Sequence, residues 1–547
     1  MSVTSTMSTQ AYVAPPPSEP VQTKNLWDNP NGTSHTHGPE GDLHQDHDVG
    51  HGGVDVDAQA GPTVDAQGVV NGGGTGTRLP SGQTPDGKEI QKTRLADGEQ
   101  ATLVREKTVG DDGQGGTYTA NSQVVLTTKG NGDDQVSISQ RDDGVLEVTV
   151  NGELHEVKLG QDEFGNQQEF GIRVGDGNDT VTVAPNVKVN FVIDGGAGDD
   201  VLAGGAGDDR FDGGIGNDTI SGHGGRDDIF GNAGNDTIDG GDGPNVLYGG
   251  DGDDSITASG NGGVNYMEGG AGNDRLTASN GQNIVSGGSS DDTIIGGGKN
   301  SIYAGEGADT ISEVTSQDLV YAQTDVDSIS FASGQRDSGQ VVMNVILDPK
   351  LGMTGVKVEG SDAFRQRVEA EIEFLRSSPN GQQMLAEFDK VAQDKGHTIT
   401  IKELSNEQNG YAMPSPDAGN VTWGDIQIND RTGKAGPGVD VEIRYNPSFH
   451  MDQFPAPLVV LYHEMSHAYN FANGTLLPGN YNGPGIDRGR VPNSERQAVG
   501  LDSTAKPFDF DGDPSTPATT HNPIELTENG IRRELGLPDR PSYRLQF

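Results

Sequence analysis

A short run in the C-terminal third of the chain combines residue types that bind a metal ion with one that can move a proton. The run LVVLYHEMSHAYNF covers 458–471 and places His463 and His467 four residues apart. On a helix, this spacing puts both imidazoles on one face, where two histidines can bind one zinc ion. Glu464 then serves as the general base that takes a proton from the attacking water. Because residues 458–462 are uncharged and apolar, we expect a buried helix that carries a catalytic zinc site.

The third protein ligand of this site has to come from elsewhere in the chain. The extended zinc-protease motif places a glycine at 470 and a histidine at 473, where this chain has Asn470 and Asn473. We favour Glu495, because NSERQAVGL predicts a helix with Ser494 as its N-cap, and such a helix holds a carboxylate rigidly. The alternative downstream ligands are Asp487, His521, Glu525 and Glu528.

A nine-residue repeat occupies the middle of the chain. It starts with GGAGDDVLA at 195–203 and continues through units such as GGAGDDRFD and GGIGNDTIS to residue 312. The sixth position is Asp or Asn, and the eighth position is apolar in almost every unit. The first apolar residues are Leu202, Phe211, Ile220, Ile229, Ile238, Leu247 and Ile256. This pattern closely resembles the G-G-x-G-x-D-x-U-x nonapeptide of the RTX calcium-binding repeats.

The composition of the repeats favours a parallel β-roll that binds calcium. The glycines permit turns with positive φ, and one apolar side chain per short strand forms a narrow core. Residues 174–312 contain 23 acidic and 5 basic residues, a net charge of −18. Carboxylates at this density repel one another unless cations lie between them, and calcium accepts about 6–8 oxygen ligands. We therefore expect several structural calcium ions, bound by Asp179, Asp200, Asp209, Asp218, Asp227, Asp236, Asp254, Asp274, Asp292 and Asp309.

Composition divides the chain into four segments. Residues 1–100 are rich in Ser, Thr, Pro, Gly and Asp without apolar periodicity, which predicts a disordered leader. Residues 101–173 alternate apolar and polar types around an Asn-Gly turn, which predicts a β-rich hairpin region that caps the roll. The roll itself covers 174–345, and 346–547 has the composition of an α+β zincin-like domain. Five leader histidines could form a weak transition-metal tract, although a solvated segment is the simpler interpretation: His35, His37, His44, His47 and His51.

Charge and composition exclude several classes of function. The chain has no cysteine, which excludes disulfides, thiolate zinc sites and cysteine catalysis. A net charge of −46 disfavours a nucleic-acid partner. No apolar run reaches the ~20 residues that cross a bilayer, and the start MSVTSTMSTQAYVAPPPSEP lacks the features of a cleavable signal peptide. We expect a monomer that is secreted by a route independent of a signal peptide, with translocation into a host cell as a further hypothesis.

The C-terminal segment resembles a known family over roughly 345–547. YHEMSHAYN is followed by ERQAVGL and then by TENGIRRELGLPDRPSY, and these runs are similar to those of the NleD-type effector zinc metallopeptidases of bacterial pathogens. The resemblance implies an endopeptidase with a protein substrate and a role in virulence. It also implies His463 and His467 as zinc ligands and Glu464 as the base, and the family's downstream glutamate matches at Glu495.

These observations predict a secreted zinc endopeptidase with a calcium-folded β-roll. The alternative is a non-enzymatic calcium-binding secreted or surface protein whose HEMSH site is inactive. A metal-dependent enzyme that acts on a non-peptide bond would use the same residues. The intact Glu464 favours an active enzyme over the inactive alternative.

Overall fold

The computed structural model describes residues 69–111, 116–161, 167–260, 262–335, 341–405, 410–448, 456–512 and 514–544. The five leader histidines lie outside these ranges, so their metal tract stays a prediction. No helix in the described part of the chain is long and apolar enough to cross a membrane.

The strands at the N-terminal end of the described chain precede the repeats. They are β1 (Val70–Asn71), β2 (Thr77–Gln83), β3 (Glu89–Asp97), β4 (Ala101–Asp111), β5 (Thr117–Thr128), β6 (Gln135–Gln140), β7 (Leu146–Val150) and β8 (Glu153–Lys158). The Asn-Gly turn between β7 and β8 is formed by Asn151 (φ 50°) and Gly152 (φ 87°), both in the left-handed region that a tight type I′ hairpin requires.

The repeat strands follow and continue to residue 344. They are β9 (Glu169–Asp176), β10 (Thr180–Val183), β11 (Phe191–Ala197), β12 (Val201–Ala203), β13 (Arg210–Ile215), β14 (Thr219–Ser221), β15 (Asp228–Ala233), β16 (Thr237–Asp239), β17 (Val246–Asp251), β18 (Ser255–Thr257), β19 (Val264–Ala271), β20 (Arg275–Thr277), β21 (Gln282–Ser289), β22 (Thr293–Ile295), β23 (Lys299–Tyr303), β24 (Thr310–Val314), β25 (Leu319–Ala322), β26 (Ser328–Phe331) and β27 (Val342–Asn344).

These strands form two long sheets that face each other across the apolar positions of the repeats. Sheet A has the order β1-β8-β7-β6-β10 and then the even-numbered strands to β26, and sheet B has the order β2-β3-β4-β5-β9 and then the odd-numbered strands to β27. Successive repeats join opposite sheets in parallel, so that Leu202 lies beside Ile220 in sheet A and Phe211 lies beside Ile229 in sheet B. Each of these side chains is at most 1% exposed. The predicted parallel β-roll is confirmed.

The first strands correct the prediction of a disordered leader across 1–100. The strands β1 to β3 lie within 70–97, so residues 69–100 are folded, and the leader prediction is wrong for that part. Strands β2 to β5 form an antiparallel ribbon, and β5 joins β9 of the roll in parallel. Most side chains of β3 are half-buried, which explains why the segment has no strong apolar signal.

The C-terminal domain combines a four-stranded sheet with helices, as the sequence predicts. Its strands are β28 (Val356–Glu359), β29 (Ile399–Glu403), β30 (Gly410–Pro414) and β31 (Val441–Tyr445). The described α-helices are α1 (Asp362–Ser377), α2 (Pro379–Lys395), α3 (Trp423–Ile426), α4 (Pro457–Asn473), α5 (Asn493–Val499) and α6 (Glu528–Glu534). The sheet order is β28-β29-β31-β30, and β30 is the antiparallel edge strand.

Serine caps explain where the first two helices of this domain begin. The Ser361 side chain accepts a hydrogen bond from the N–H of Phe364 at the start of α1, and the Ser378 side chain accepts one from Gly381 at the start of α2. The two helices bury their apolar faces in a core that the C-terminal domain shares with residues on the outer face of sheet B. A separate core fills the interior of the roll.

We predict that Gly234→Ala destabilises the roll, because Gly234 has φ 131° and an added Cβ would overlap the carbonyl oxygen of Gly216 on the neighbouring turn. The expected loss is at least about 1 kcal/mol of unfolding free energy. Gly132→Ala is the matched control, since a Cβ there has no described atom within 4 Å. Its expected effect is within about 0.5 kcal/mol. Urea unfolding followed by circular dichroism measures both, and equal midpoints for the two variants would contradict the prediction.

Candidate metal centres

Helix α4 holds the histidine pair in a fixed position. It begins at Pro457, it ends at Asn473, and Gly474 caps its C-terminus with φ 70°. Every residue from 457 to 472 is buried, which agrees with the expectation of a buried helix. The two imidazoles therefore project from a backbone that is packed on all sides.

The ligand atoms of three side chains meet at one point beside α4. His463 Nε2 lies 3.2 Å from His467 Nε2, and Glu495 Oε2 lies 3.0 Å from His467 Nε2 and 3.7 Å from His463 Nε2. The ligands of a tetrahedral zinc ion, each about 2.0–2.1 Å from the metal, stand about 3.3 Å apart. Among the described residues this is the group of His and carboxylate atoms compact enough to hold a metal ion. The donor set and the spacing fit zinc.

Glu495 reaches this point from α5, although the helix does not begin as expected. Its first residue is Asn493, and Pro492 occupies the N-cap position, so Ser494 lies inside the helix and does not cap it. The Asn493 side chain instead donates a 2.8 Å hydrogen bond to the carbonyl of Pro478. This bond ties the start of α5 to the preceding loop, and the helix begins two residues earlier than a cap at Ser494 would place it.

Glu464 lies between the histidine pair and the edge strand β30. Its side chain is buried, and it accepts a hydrogen bond from the backbone N–H of Ala412 on that strand. Burial raises the pKa of Glu464, which the nearby His463 and His467 partly oppose. A carboxylate in such a site is a stronger base than an exposed one.

Glu528 contacts His463 on the side opposite to the proposed metal position. Its Oε2 lies 3.0 Å from His463 Nδ1, and it is held by Arg540 at 2.8 Å and by Arg532 at 3.4 Å. A carboxylate on Nδ1 fixes the imidazole tautomer and leaves Nε2 free for a metal. Glu528 therefore contacts a proposed ligand, whereas the sequence left it open as a ligand itself.

The charges around His463 depend on one another. Burial would lower the pKa of His463, but the carboxylates of Glu495 and Glu528 raise it to about 10. Conversely, burial would raise the pKa of Glu495, and the two histidines hold it well below its usual range. The two carboxylates thus favour a positive charge at His463. A bound cation would take over this role.

The other candidate ligands have different surroundings. Asp487 forms an ion pair with Arg496 and accepts 3.0 Å hydrogen bonds from the backbone N–H groups of Tyr543 and Arg544. His521 Nδ1 lies 2.6 Å from the carbonyl oxygen of Asn522. The carboxylates of Asp487 and Glu525 and the His521 ring do not belong to the compact metal-binding group of the described residues.

The C-terminal run that follows Glu528 surrounds His463, and sequence reasoning assigned it no role. The Tyr543 ring lies 6.2 Å from the imidazole of His463, and the Arg540 guanidinium lies 4.8 Å from the Tyr543 ring. Arg540 is tied to the same helix because its backbone N–H donates to Asn529 Oδ1 at 2.6 Å. The sequence signal for these contacts was the spacing of the runs TEN and DRPSY after the histidine pair.

The repeat aspartates form a ladder inside the roll. The Oδ1 atom of each accepts the backbone N–H of a residue one turn earlier, as Asp218 does from Asp200 at 2.8 Å and Asp236 does from Asp218 at 2.7 Å. The Oδ2 atom is buried without a hydrogen-bond donor among the described residues in nine of the ten predicted calcium ligands: Asp179, Asp200, Asp218, Asp227, Asp236, Asp254, Asp274, Asp292 and Asp309. The tenth, Asp209, accepts the N–H of Gly205 at 2.9 Å.

Space and charge at these oxygens fit a bound cation. A Cβ added at Gly213 would stand 2.6 Å from Asp218 Oδ2, so the glycine keeps the approach to that oxygen open. Burial raises the pKa of Asp227 and Asp254 to about 8 and of Asp292 to about 9, because ionised carboxylates are unfavourable there without a counter-charge. Calcium, which prefers carboxylate and carbonyl oxygens, satisfies this requirement.

Comparison with known families finds two matches in this chain. Residues 353–543 match the family model Peptidase_M91, which is described as an effector protein and implies peptidase activity on a protein substrate. Four copies of the RTX calcium-binding nonapeptide repeat match 192–220, 230–259, 259–294 and 296–312. No curated protein and no solved structure matches the chain. The chain thus combines RTX calcium-binding nonapeptide repeats with a Peptidase_M91 effector domain at its C-terminus.

Proposed function

We propose that the protein is a secreted zinc-dependent endopeptidase whose RTX roll is folded by calcium. The observation that carries the proposal is the meeting of His463 Nε2, His467 Nε2 and Glu495 Oε2 beside the buried carboxylate of Glu464. Two neutral donors and one carboxylate are a ligand set found in zinc peptidases. The match of residues 353–543 to a peptidase family supports the same reaction.

The chemistry divides between the metal and Glu464. Zinc held by His463, His467 and Glu495 would polarise the scissile carbonyl and lower the pKa of a water molecule to about 7. The Glu464 carboxylate accepts the proton of the attacking water and then donates it to the leaving amine. Its hydrogen bond from Ala412 N–H keeps it oriented between the edge strand and the histidine pair.

The edge strand β30 is a suitable binding surface for a peptide. It is the last strand of its sheet, and Glu464 lies against it: a Cβ added at Gly410 would stand 3.4 Å from Glu464 Cγ. An extended peptide can add to a free sheet edge through main-chain hydrogen bonds. A substrate bound in this way would pass directly over the proposed base.

We predict that Glu464→Gln keeps one zinc per chain but loses activity, because the substitution removes a base and not a ligand. The expected loss in kcat is about 10²-fold to 10⁴-fold. His463→Ala and His467→Ala should lose the zinc as well. Metal analysis and a cleavage screen on whole-cell proteins measure both properties, and Glu525→Gln is a control outside the site.

The outcomes separate the possible functions. Wild-type protein without zinc would reject the metal assignment. Zinc without cleavage of any protein would favour the inactive binding protein or a non-peptide substrate. Cleavage that survives Glu464→Gln would reject the assigned base.

A second prediction separates the role of Glu528 from that of Glu495. We expect Glu528→Gln to weaken zinc binding about 10-fold to 100-fold, as is usual when the partner of a histidine ligand is removed. Glu495→Gln should remove a ligand and have a larger effect. Competition with a chromophoric zinc chelator measures both affinities, and the exposed ion-pair variant Asp539→Asn is the control. If Glu495→Gln kept its full zinc affinity and Glu528→Gln lost it, Glu528 would be the ligand and Glu495 the supporting residue.

We also propose that the roll folds only after the protein leaves the producing cell. Calcium sites of extracellular modules bind with Kd values of about 10⁻⁴ to 10⁻³ M, far above the calcium level of a cytosol. The net charge of −18 on residues 174–312 would keep the calcium-free repeats extended. Recovery of the full-length protein only from the cytosol of the producing cells would contradict this proposal.

We therefore predict that the calcium-free protein gains β-structure when calcium rises to the millimolar range. Asp254→Asn should raise the calcium concentration at the midpoint, since it removes one buried oxygen charge at a position where other repeats carry Asn. The exposed Asp325→Asn is the matched control and should leave the midpoint unchanged. Circular dichroism during a calcium titration measures the transition, and a spectrum that does not respond to calcium would contradict it.

A further inference from the structure

The outward faces of the two sheets differ in a way that the repeat pattern does not require. In sheet A most residues beside the buried apolar position are small and polar, such as Thr219 and Ser221 beside Ile220, with Val201, Arg275 and Ile295 as exceptions. In sheet B, from β15 to β25, large apolar and aromatic side chains occupy many of these positions. We call them the docking face: Phe230, Val246, Tyr248, Tyr266, Ile284, Tyr303 and Tyr321. Each is at most 5% exposed, because the C-terminal domain covers them.

Aromatic contacts form the apolar part of this seam. The Phe374 ring of α1 lies 4.3 Å from the Tyr303 ring and 6.1 Å from the Tyr266 ring. Tyr303 and Tyr321 stack on each other at 4.5 Å. Phe374 has no exposed surface in the folded chain, so loss of the roll would place a large apolar side chain in water.

Buried charges of α1 also find their partners in the roll. Arg367 forms a two-bonded ion pair with Asp228 at 2.9 and 3.2 Å, and its guanidinium lies 4.4 Å from the centre of the Tyr248 ring. The Tyr248 hydroxyl donates a 2.8 Å hydrogen bond to Glu371. Removing one partner of a buried ion pair leaves the other charge buried without a counter-charge, so α1 depends on a folded roll.

The seam continues to the helix that positions His463. The Tyr303 hydroxyl donates to the Glu534 carboxylate at 3.1 Å, and the Tyr321 hydroxyl donates to the Glu534 carbonyl at 3.2 Å. Glu534 is the last residue of α6, and Glu528, the first residue of the same helix, contacts His463 Nδ1. One seven-residue helix therefore connects the roll with the metal centre.

Strand β15 joins the calcium ladder to the docking face, whereas the next docking strands, β17, β19, β21 and β23, have asparagine at the ladder position: Asn245, Asn265, Asn283 and Asn300. In β15 the docking residue Phe230 follows Ile229 of the roll core, and Asp228 follows Asp227, whose Oδ2 is one of the buried oxygens without a donor. A strand cannot present Asp228 and Phe230 to α1 until the turn that contains Asp227 has formed. Anything that stabilises that turn stabilises the seam as well.

We propose that calcium binding by the repeats builds the docking face, and that docking orders α1 and α6 and so fixes His463 in the metal site. As a regulation of that site, this inference rests on the proposed function. The peptidase domain would then reach its working form only where calcium is plentiful.

The test is hydrogen–deuterium exchange of the full chain at stoichiometric zinc, with and without millimolar calcium. Peptides from the roll, from α1 and from α6 should all become protected at the same calcium midpoint. We expect the exchange of α1 and α6 to slow by at least about tenfold. The measurement needs no substrate, so helices that become ordered in a protein without cleavage activity would reject the proposed function and leave the coupling intact.

Paired variants separate docking from calcium binding. The double variant Tyr303→Thr/Tyr321→Thr replaces two docking tyrosines of sheet B with threonine, a residue type found on the outer face of sheet A. The roll should still respond to calcium, while α6 should lose its protection against hydrogen exchange. Thr257→Ala with Thr277→Ala, on the outer face of sheet A, is the matched control and should behave as the wild type. Tyr303→Phe keeps the ring and removes one bond to Glu534, and it should weaken α6 protection even if the double variant fails to fold.

Two results would overturn the inference. One is full protection of α1 and α6 in the wild type without calcium while the roll is unprotected. The other is unchanged calcium-dependent protection of α6 both in a folded Tyr303→Thr/Tyr321→Thr variant and in Tyr303→Phe.

Discussion

The buried aspartate oxygens of the roll are the constraint on which the rest of the structure depends. Nine Oδ2 atoms are buried without a hydrogen-bond donor among the described residues, and burial raises the pKa of Asp227 and Asp254 to about 8. From β12 to β23 each strand contributes one side chain to the core of the roll, so these strands offer little free energy to offset the charge burial. A cation at these oxygens resolves the conflict. Under the proposed calcium dependence, the stability of the roll follows the calcium concentration around it.

The C-terminal domain is linked to the stability of the roll, because it is not packed as an independent unit. Helix α1 buries Arg367 and Phe374 against the outer face of sheet B, and α6 holds Glu534 there. The match to Peptidase_M91 begins at residue 353, beyond the roll, so the seam joins the family domain to a neighbour outside the matched region. In this chain the C-terminal domain shares its hydrophobic core with the outer face of sheet B, while the interior of the roll has a core of its own.

Much of this arrangement could be predicted from the sequence. The remaining parts could not be predicted, for physical reasons. The histidine pair and the parallel roll rest on short periodic signals, and the choice of Glu495 rests on a predicted helix. The structure brings Glu495 to the histidines. The leader prediction failed at 69–100 because the strands there are half-buried and lack apolar periodicity. The role of Glu528 depends on a contact across 65 residues, which no local pattern encodes. The docking face also has a signal in the sequence. In alternate repeats an apolar residue stands next to the core position, and this pattern becomes visible when the repeats are aligned with a period of 18 residues instead of nine.

The central claim is that His463, His467 and Glu495 hold one zinc ion beside Glu464. Anomalous scattering at the zinc absorption edge, from crystals of the full chain grown with calcium and zinc, tests it most directly. The account predicts one strong peak within about 2.0–2.2 Å of His463 Nε2, His467 Nε2 and a Glu495 oxygen. An empty position between these atoms, or a zinc ion bound by Glu528 in place of Glu495, would contradict it.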